Sequence, residues 1–176
     1  MNGCRPQART LGWWRRERQR HASPEDASLV EPIDIHVADP AERDAAFDLR
    51  IAVFCDEQGV PLELELDAHE DAATHVVAIC RGTVVGTLRW RPICGGARAK
   101  IERVAVARSH RGTGLGRALM LWVLERLDAM ALRDTVLHAQ VHARMFYERL
   151  GYAAEGEPFD EDGIPHIRMR RLSPLR

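Results

Sequence analysis

The stretch that decides the fold runs from Lys100 to Met130, KIERVAVARSHRGTGLGRALMLWVLERLDAM. Ile101, Val104, Ala105 and Val106 form a short, mostly apolar, β-branched run suited to a strand. Arg108-Ser109-His110 is a polar turn, and Arg111-Gly112-Thr113-Gly114-Leu115-Gly116 follows it. Beyond that, apolar residues at 115, 118, 119, 122, 123, 127 and 130 keep the i, i+3, i+4 spacing of one helix face. The order is strand, glycine-rich turn, helix.

That order has a chemical use. The first turn of a helix carries N–H groups with no partner inside the helix, and the macrodipole adds partial positive charge there. Glycines at 112, 114 and 116 remove Cβ atoms that would hold a phosphate at a distance. Arg111 adds a fixed charge with forked donors. A pyrophosphate suits such a turn; tight packing alone would also use these glycines, and both readings stand at this point.

Two other glycine loops do not fit. A dinucleotide fingerprint needs G-x-G-x-x-G and an acidic residue about 20 residues on, whereas here the spacing is G-x-G-x-G with no βαβ unit before it. A nucleotide-triphosphate loop needs Gly-Lys-Ser/Thr, and the only lysine of the chain is Lys100. The remaining pattern, Arg111-x-x-Gly114-x-Gly116 after a strand, resembles the acyl-CoA pyrophosphate loop of the GCN5-related N-acetyltransferase (GNAT) superfamily. The run from Gln140 through Ala143, Phe146, Tyr147 and Gly151 to Tyr152 is similar to that superfamily's second signature, with Gln140 where Asn is usual. Residues 50–61 and 159–169 resemble the ElaA-like branch, and the likeness covers about residues 33 to 172.

The resemblance implies an α+β, three-layer fold with a mixed, largely antiparallel central sheet flanked by helices. It implies an acetyltransferase that uses acetyl-CoA as co-substrate, with no metal, and an amine acceptor that attacks directly while both substrates are bound. Val104, Ala105 and Val106 would hold the pantetheine arm through their backbone; Arg111, Gly112, Thr113, Gly114, Leu115 and Gly116 would hold the diphosphate. Gln140 and Phe146 would border the same ligand. Tyr147 falls at the general-acid position, where a phenol of pKa about 10 can protonate a departing thiolate. Its alternative is a core tyrosine, because Ala143, Tyr147 and Leu150 share a helix face. For the base, strand alternation puts Glu102 on one face with Val104 and Val106; the alternative is an ion pair with Arg89 or Arg103. His75, Asp71 and His166 stand in reserve.

Length and composition bound the rest. The chain has 176 residues, 45% of them hydrophobic, enough for one domain with a sizeable core. No apolar run approaches the ~18 residues of a membrane span. The four cysteines (4, 55, 80 and 94) are widely spaced without a C-x-x-C pair, which argues against zinc and disulfides and for the cytoplasm. Net charge of −1 gives no overall drive toward nucleic acid. Residues 1–32, with six arginines between Arg5 and Arg20, read as a basic flexible extension, the one part that nucleic acid would attract. The domain proper is 33–176.

Within it, strands are expected over 33–37, 74–80, 83–91, 101–106, 135–140, 152–155 and 164–172, and helices over 40–56, 115–130 and around 143–150. Glu63, Glu65, Asp67, Glu70 and Asp71 form either a solvated acidic loop or an acidic wall that attracts a cationic amine. The acceptor is a small-molecule or protein amine, and exposed strand edges leave a homodimer open. Two rival functions remain. One is an acyl-CoA-binding sensor without turnover. The other is an acyl-homoserine-lactone synthase, which Arg50, Val53, Phe54, Glu57, Asp67 and Asp71 resemble.

Overall fold

A computed structural model describes residues 32–130 and 132–173 of the chain. The expected extension therefore lies, Pro32 apart, outside the described residues. Arg81 and Gly82 both take left-handed φ angles, 50° and 75°, which a two-residue hairpin turn requires. They join β2 (Thr74–Cys80) to β3 (Thr83–Ile93). β1 (Ile33–Val37) pairs antiparallel with β2, and β4 (Arg98–Val106) with β3.

Helix α1 (Pro40–Arg50) starts at a capping box: the Asp39 carboxylate accepts from the Glu42 N–H, and Glu42 accepts from the Asp39 N–H, both at 2.9 Å. Its expected run to Asp56 is present, but Ile51–Asp56 is wound as a wider π-type turn. The short α2 (Leu62–Glu65) was not anticipated.

Helix α3 (Leu115–Ala129) lies across the first half of the sheet, burying Leu115, Leu119, Met120, Val123, Leu124 and Leu127. Met120 and Leu124 widen the expected stripe, while Met130 is 53% exposed beyond it. At Gly86 of β3 a Cβ would stand 2.8 Å from Leu119 Cδ1. The close approach of α3 thus depends on a missing side chain.

The second half follows: β5 (Asp134–Gln140), α4 (Arg144–Glu148), β6 (Ala153–Ala154), β7 (Phe159–Glu161) and β8 (Ile164–Leu172). β7 was missed by the sequence reading; it is joined to β8 by Asp162-Gly163, again with both φ positive. The sheet order is β1-β2-β3-β4-β5-β8-β6, with β7 also on β8. Among the described residues no helix is long and apolar enough to cross a membrane.

Among the described residues the two halves of the sheet pair through β4 and β5, which run parallel and match at three positions: Arg98–Asp134, Ala99–Thr135 and Lys100–Val136. At that closed end the fully buried Asp134 carboxylate lies 3.1 Å from Arg98 Nε and accepts from Arg170 at 2.9 Å. Past Lys100 and Val136 the ladder stops. β4 also carries a bulge there: Thr87 faces Ala105 and Arg89 faces Glu102, so Arg103 and Val104 stand against Leu88 alone. Arg103 takes a φ of 54° to make it.

Candidate active site

The separation of β4 from β5 opens a cavity of about 740 Å³. Lys100 to Val106 line one wall, Leu137, His138 and Gln140 the other. The glycine loop closes one end; Phe146 and Tyr147 of α4, and the β7–β8 hairpin, complete the walls.

The loop turns through left-handed glycines. Gly112 and Gly114 take φ of 74° and 88°, and Gly114 begins α3 with no side chain capping it. Gly116 is different, since it is helical and a Cβ there would meet Val106 and Phe146 at ordinary distances of 3.6 and 3.7 Å. Packing does not require its missing side chain, whereas a ligand approaching the helix end would. The Arg111 N–H is already bonded to the Arg108 carbonyl, so it is not one of the amides turned toward a ligand. Thr113 does not line the cavity; its hydroxyl donates to the His110 carbonyl at 2.7 Å and braces the turn.

Arg111 is engaged. Its Nε donates to the Val106 carbonyl (3.0 Å) and its two terminal nitrogens fork onto Glu57 at 2.7 and 2.8 Å. That guanidinium holds the Glu57 carboxyl below its ordinary value. Beside it, Gln140 Nε2 donates to Gln58 Oε1 at 2.7 Å. The end of the α1 segment therefore bridges from the glycine loop to β5.

Tyr147 joins the core and the cavity. Its ring meets Phe146 and Tyr152 edge to face, and it is only 9% exposed. Tyr152 gives a control: its hydroxyl bonds Thr135 Oγ1 at 2.8 Å, and burial pushes its phenol up to about 12. Burial pushes Tyr147 up as well, but its hydroxyl makes no hydrogen bond with any described residue and the residue lines the cavity.

Glu102 does not lie as alternation implied. The bulge puts it opposite Arg89, on the face of β4 away from Val106, whose partner is Gly86. Lys100 Nζ at 2.9 Å, Arg91 Nε at 3.0 Å and Arg89 Nε at 3.4 Å surround its carboxylate. Burial works to raise its pKa, but Lys100 and Arg91 outweigh that and hold it below the usual range, so it is a weakened base.

The acidic segment is neither a solvated loop nor a wall facing an amine. Glu65 and Glu70 bond Arg50, Asp67 and Glu70 bond Arg89, and Arg103 reaches Glu65 at 2.9 Å. Three arginines turn three carboxylates inward. His75 is buried there, its ring nitrogen 3.0 Å from the Glu70 carbonyl, and the 98%-exposed Asp71 side chain lies 3.8 Å from Arg43; neither lines the cavity. His166 does line it. Arg50 and Asp67, on which the lactone-synthase alternative leaned, are committed to these pairs.

The sequence reading missed the residues that complete the cavity on the β5 side, His138 of β5 and Glu161 of β7. Asp162-Gly163, a strong hairpin dipeptide, was the available signal.

A profile described as an acetyltransferase (GNAT) domain matches residues 37–173. The chain belongs to the GNAT family. A Bacillus subtilis protein named as an acetyltransferase is 37% identical over 130 residues, 72% of this chain and 86% of that protein. An acyl-CoA N-acyltransferase structure from Pseudomonas aeruginosa superposes with a TM-score of 0.71 at 31% identity, covering 81% of this chain and all of that one. Escherichia coli ElaA gives a TM-score of 0.71 at 27% identity, covering 81% and 99%. GNAT membership makes acyl transfer from an acyl-CoA the chemistry against which the cavity is read.

Proposed function

We propose that this GNAT protein transfers the acetyl group of acetyl-CoA to a primary amine, on a small molecule or a protein, with both substrates bound together. The observation that carries the reading is the opening between β4 and β5, with the uncapped start of α3 at one end and the unpartnered Tyr147 hydroxyl on its wall. The residues fit the ligand. The N–H groups of Gly112, Gly114, Leu115 and Gly116 offer donors to a diphosphate, and the absent Cβ of Gly116 lets it come close. Arg111 adds charge once shared with, or released from, Glu57. The edge of β4 from Arg103 to Val106, where the β5 ladder has ended, offers backbone groups to an amide-bearing arm.

When bound, acetyl-CoA supplies a thioester, an acyl carbon ready for an amine. Tyr147, whose hydroxyl lies on the cavity wall with no hydrogen-bond partner among the described residues, serves as the proton donor to the departing sulfur. Glu102 keeps Lys100, Arg91 and Arg89 neutralised beneath the site, an electrostatic role in place of the basic one.

Incubating the purified chain with acetyl-CoA and n-butylamine, spermidine, kanamycin and a lysine peptide, and following free thiol, tests the reading. Acceptor-dependent thiol release supports it. Tight coenzyme A binding with no release across the panel would leave a binding module.

A further inference from the structure

His138 is expected on no helix face or signature, yet it sits on β5 two residues past the last β4–β5 pair, where the strands have parted. Glu161 reaches it from β7: both carboxylate oxygens lie 3.1–3.2 Å from Nδ1. Phe159 packs edge-on against the imidazole with centroids 4.9 Å apart, fixing the plane of the ring. With Nδ1 committed to the carboxylate, Nε2 makes no hydrogen bond with any described residue. A neutral imidazole so held carries its proton on Nδ1 and its lone pair on Nε2.

The face is consistent. Parallel register matches Lys100 with Val136, and antiparallel register matches His138 with Arg168 and Gln140 with His166. Lys100, Glu102, His138 and His166 therefore share one side of the sheet and all line the cavity. The charged groups facing His138 are Glu161 of β7 and Asp162 after it, His166 and Arg168 of β8, and Lys100 and Glu102 of β4.

We infer that His138 is the catalytic base of the proposed acyl transfer, taking a proton from the acceptor's ammonium through Nε2, and that Glu161 is the residue that positions it. The inference rests on the acetyltransferase reading. The step balances: an N–H bond of the ammonium breaks as Nε2–H forms, giving the free amine and an imidazolium beside Glu161. The amine's lone pair then forms the amide C–N bond as the thioester C–S bond breaks. A second N–H proton leaves nitrogen for solvent as the sulfur gains one from Tyr147, the Tyr147 phenolate regains a proton from solvent, and the imidazolium gives its proton up to solvent. The anionic Glu161 stabilises the charge that His138 acquires. Glu102, ringed by three cations, is held as a weaker base.

The test uses the full chain, wild type, His138→Asn and Glu161→Gln, with acetyl-CoA and whichever of n-butylamine and spermidine is turned over. His138→Asn is expected to lower kcat/KM at neutral pH by about 100-fold, with the deficit shrinking as pH rises and the amine loses its own proton. Added imidazole should restore part of the rate, and coenzyme A affinity should stay unchanged. Glu161→Gln should lower kcat/KM in the same pH-dependent way and by less, with coenzyme A affinity unchanged. An activity-independent readout is the ¹⁵N and ¹H spectrum of the neutral His138 ring. The Nδ1–H tautomer supports the inference; the Nε2–H tautomer overturns it. A deficit equal at every pH and unmoved by imidazole also overturns it, assigning the pair to holding β7 on β5. Wild-type protein that releases thiol with no amine at all instead fails the underlying acetyltransferase reading.

Discussion

Two charged regions flank the bulge of β4, and they differ in how completely they are paired. On the α1 side, Arg50, Arg89 and Arg103 meet Glu65, Asp67 and Glu70, and the three carboxylates are bonded inward. On the β5 side, His138 gives one nitrogen to Glu161 and keeps the other, and the Tyr147 hydroxyl takes no described partner. Charge density alone would have favoured the first region as the site. The inward pairing of its carboxylates makes it a structural fastening, and the open donor and acceptor of the second, both on the cavity, make it the place for a substrate.

The sharpest way to break this contrast is Arg50→Met. The Arg50 side chain is 1% exposed, and removing it leaves Glu65 and Glu70 short of a partner, so a loss of about 3–5 kcal/mol in denaturant unfolding is expected. Acid should act on the same cluster. Burial raises Asp67 and Glu70, but their arginines prevail and hold both below ordinary values. Their stabilisation is therefore present above the unfolded pKa of about 4 and is lost as pH falls through the depressed folded values. A stability flat from neutrality to strong acid would count against the cluster as a fastening.

The tyrosines sharpen the comparison next. Tyr147→Phe should lower kcat by about 10–100-fold with coenzyme A affinity and stability little changed. Tyr152→Phe should leave kcat alone and cost about 1 kcal/mol for the lost Thr135 bond. Equal effects on turnover would return Tyr147 to the core. Gly116→Ala separates packing from binding: the helix gains up to about 1 kcal/mol while coenzyme A affinity drops about tenfold, a 1.4 kcal/mol effect. Calorimetry on the folded variant reads both. Smallest is Glu57→Gln, which frees Arg111 and should tighten coenzyme A binding by about two- to fivefold.

Local chemistry was legible in the sequence. Arg81-Gly82 marked its hairpin, Pro40 the start of α1, and the spacing from Leu115 the buried stripe of α3. Those features are set by residues within a turn or two of each other. What escaped depends on partners distant in sequence. The β4 bulge is fixed by register with β3, and nothing in Glu102-Arg103-Val104 announces a non-glycine residue at φ 54°. Glu65 and Arg103, 38 residues apart, find each other only in the fold. Strand alternation consequently misplaced Glu102, and a run of acids looked solvated when arginines from α1, β3 and β4 were waiting for it. Asp162-Gly163 is the exception, a local signal overlooked, and with it went β7 and Glu161.

Asp134 has a mechanical consequence. Bound to Arg98 on one strand and Arg170 on another at the point where the half-sheets join, it acts as the rivet of a pair of tongs. Any angular play at that point is magnified toward the tips, where the glycine loop and the Gln58–Gln140 bond lie. Loosening that rivet would widen the grip at the far end first, so a change deep in the sheet would be felt by ligands that never touch it.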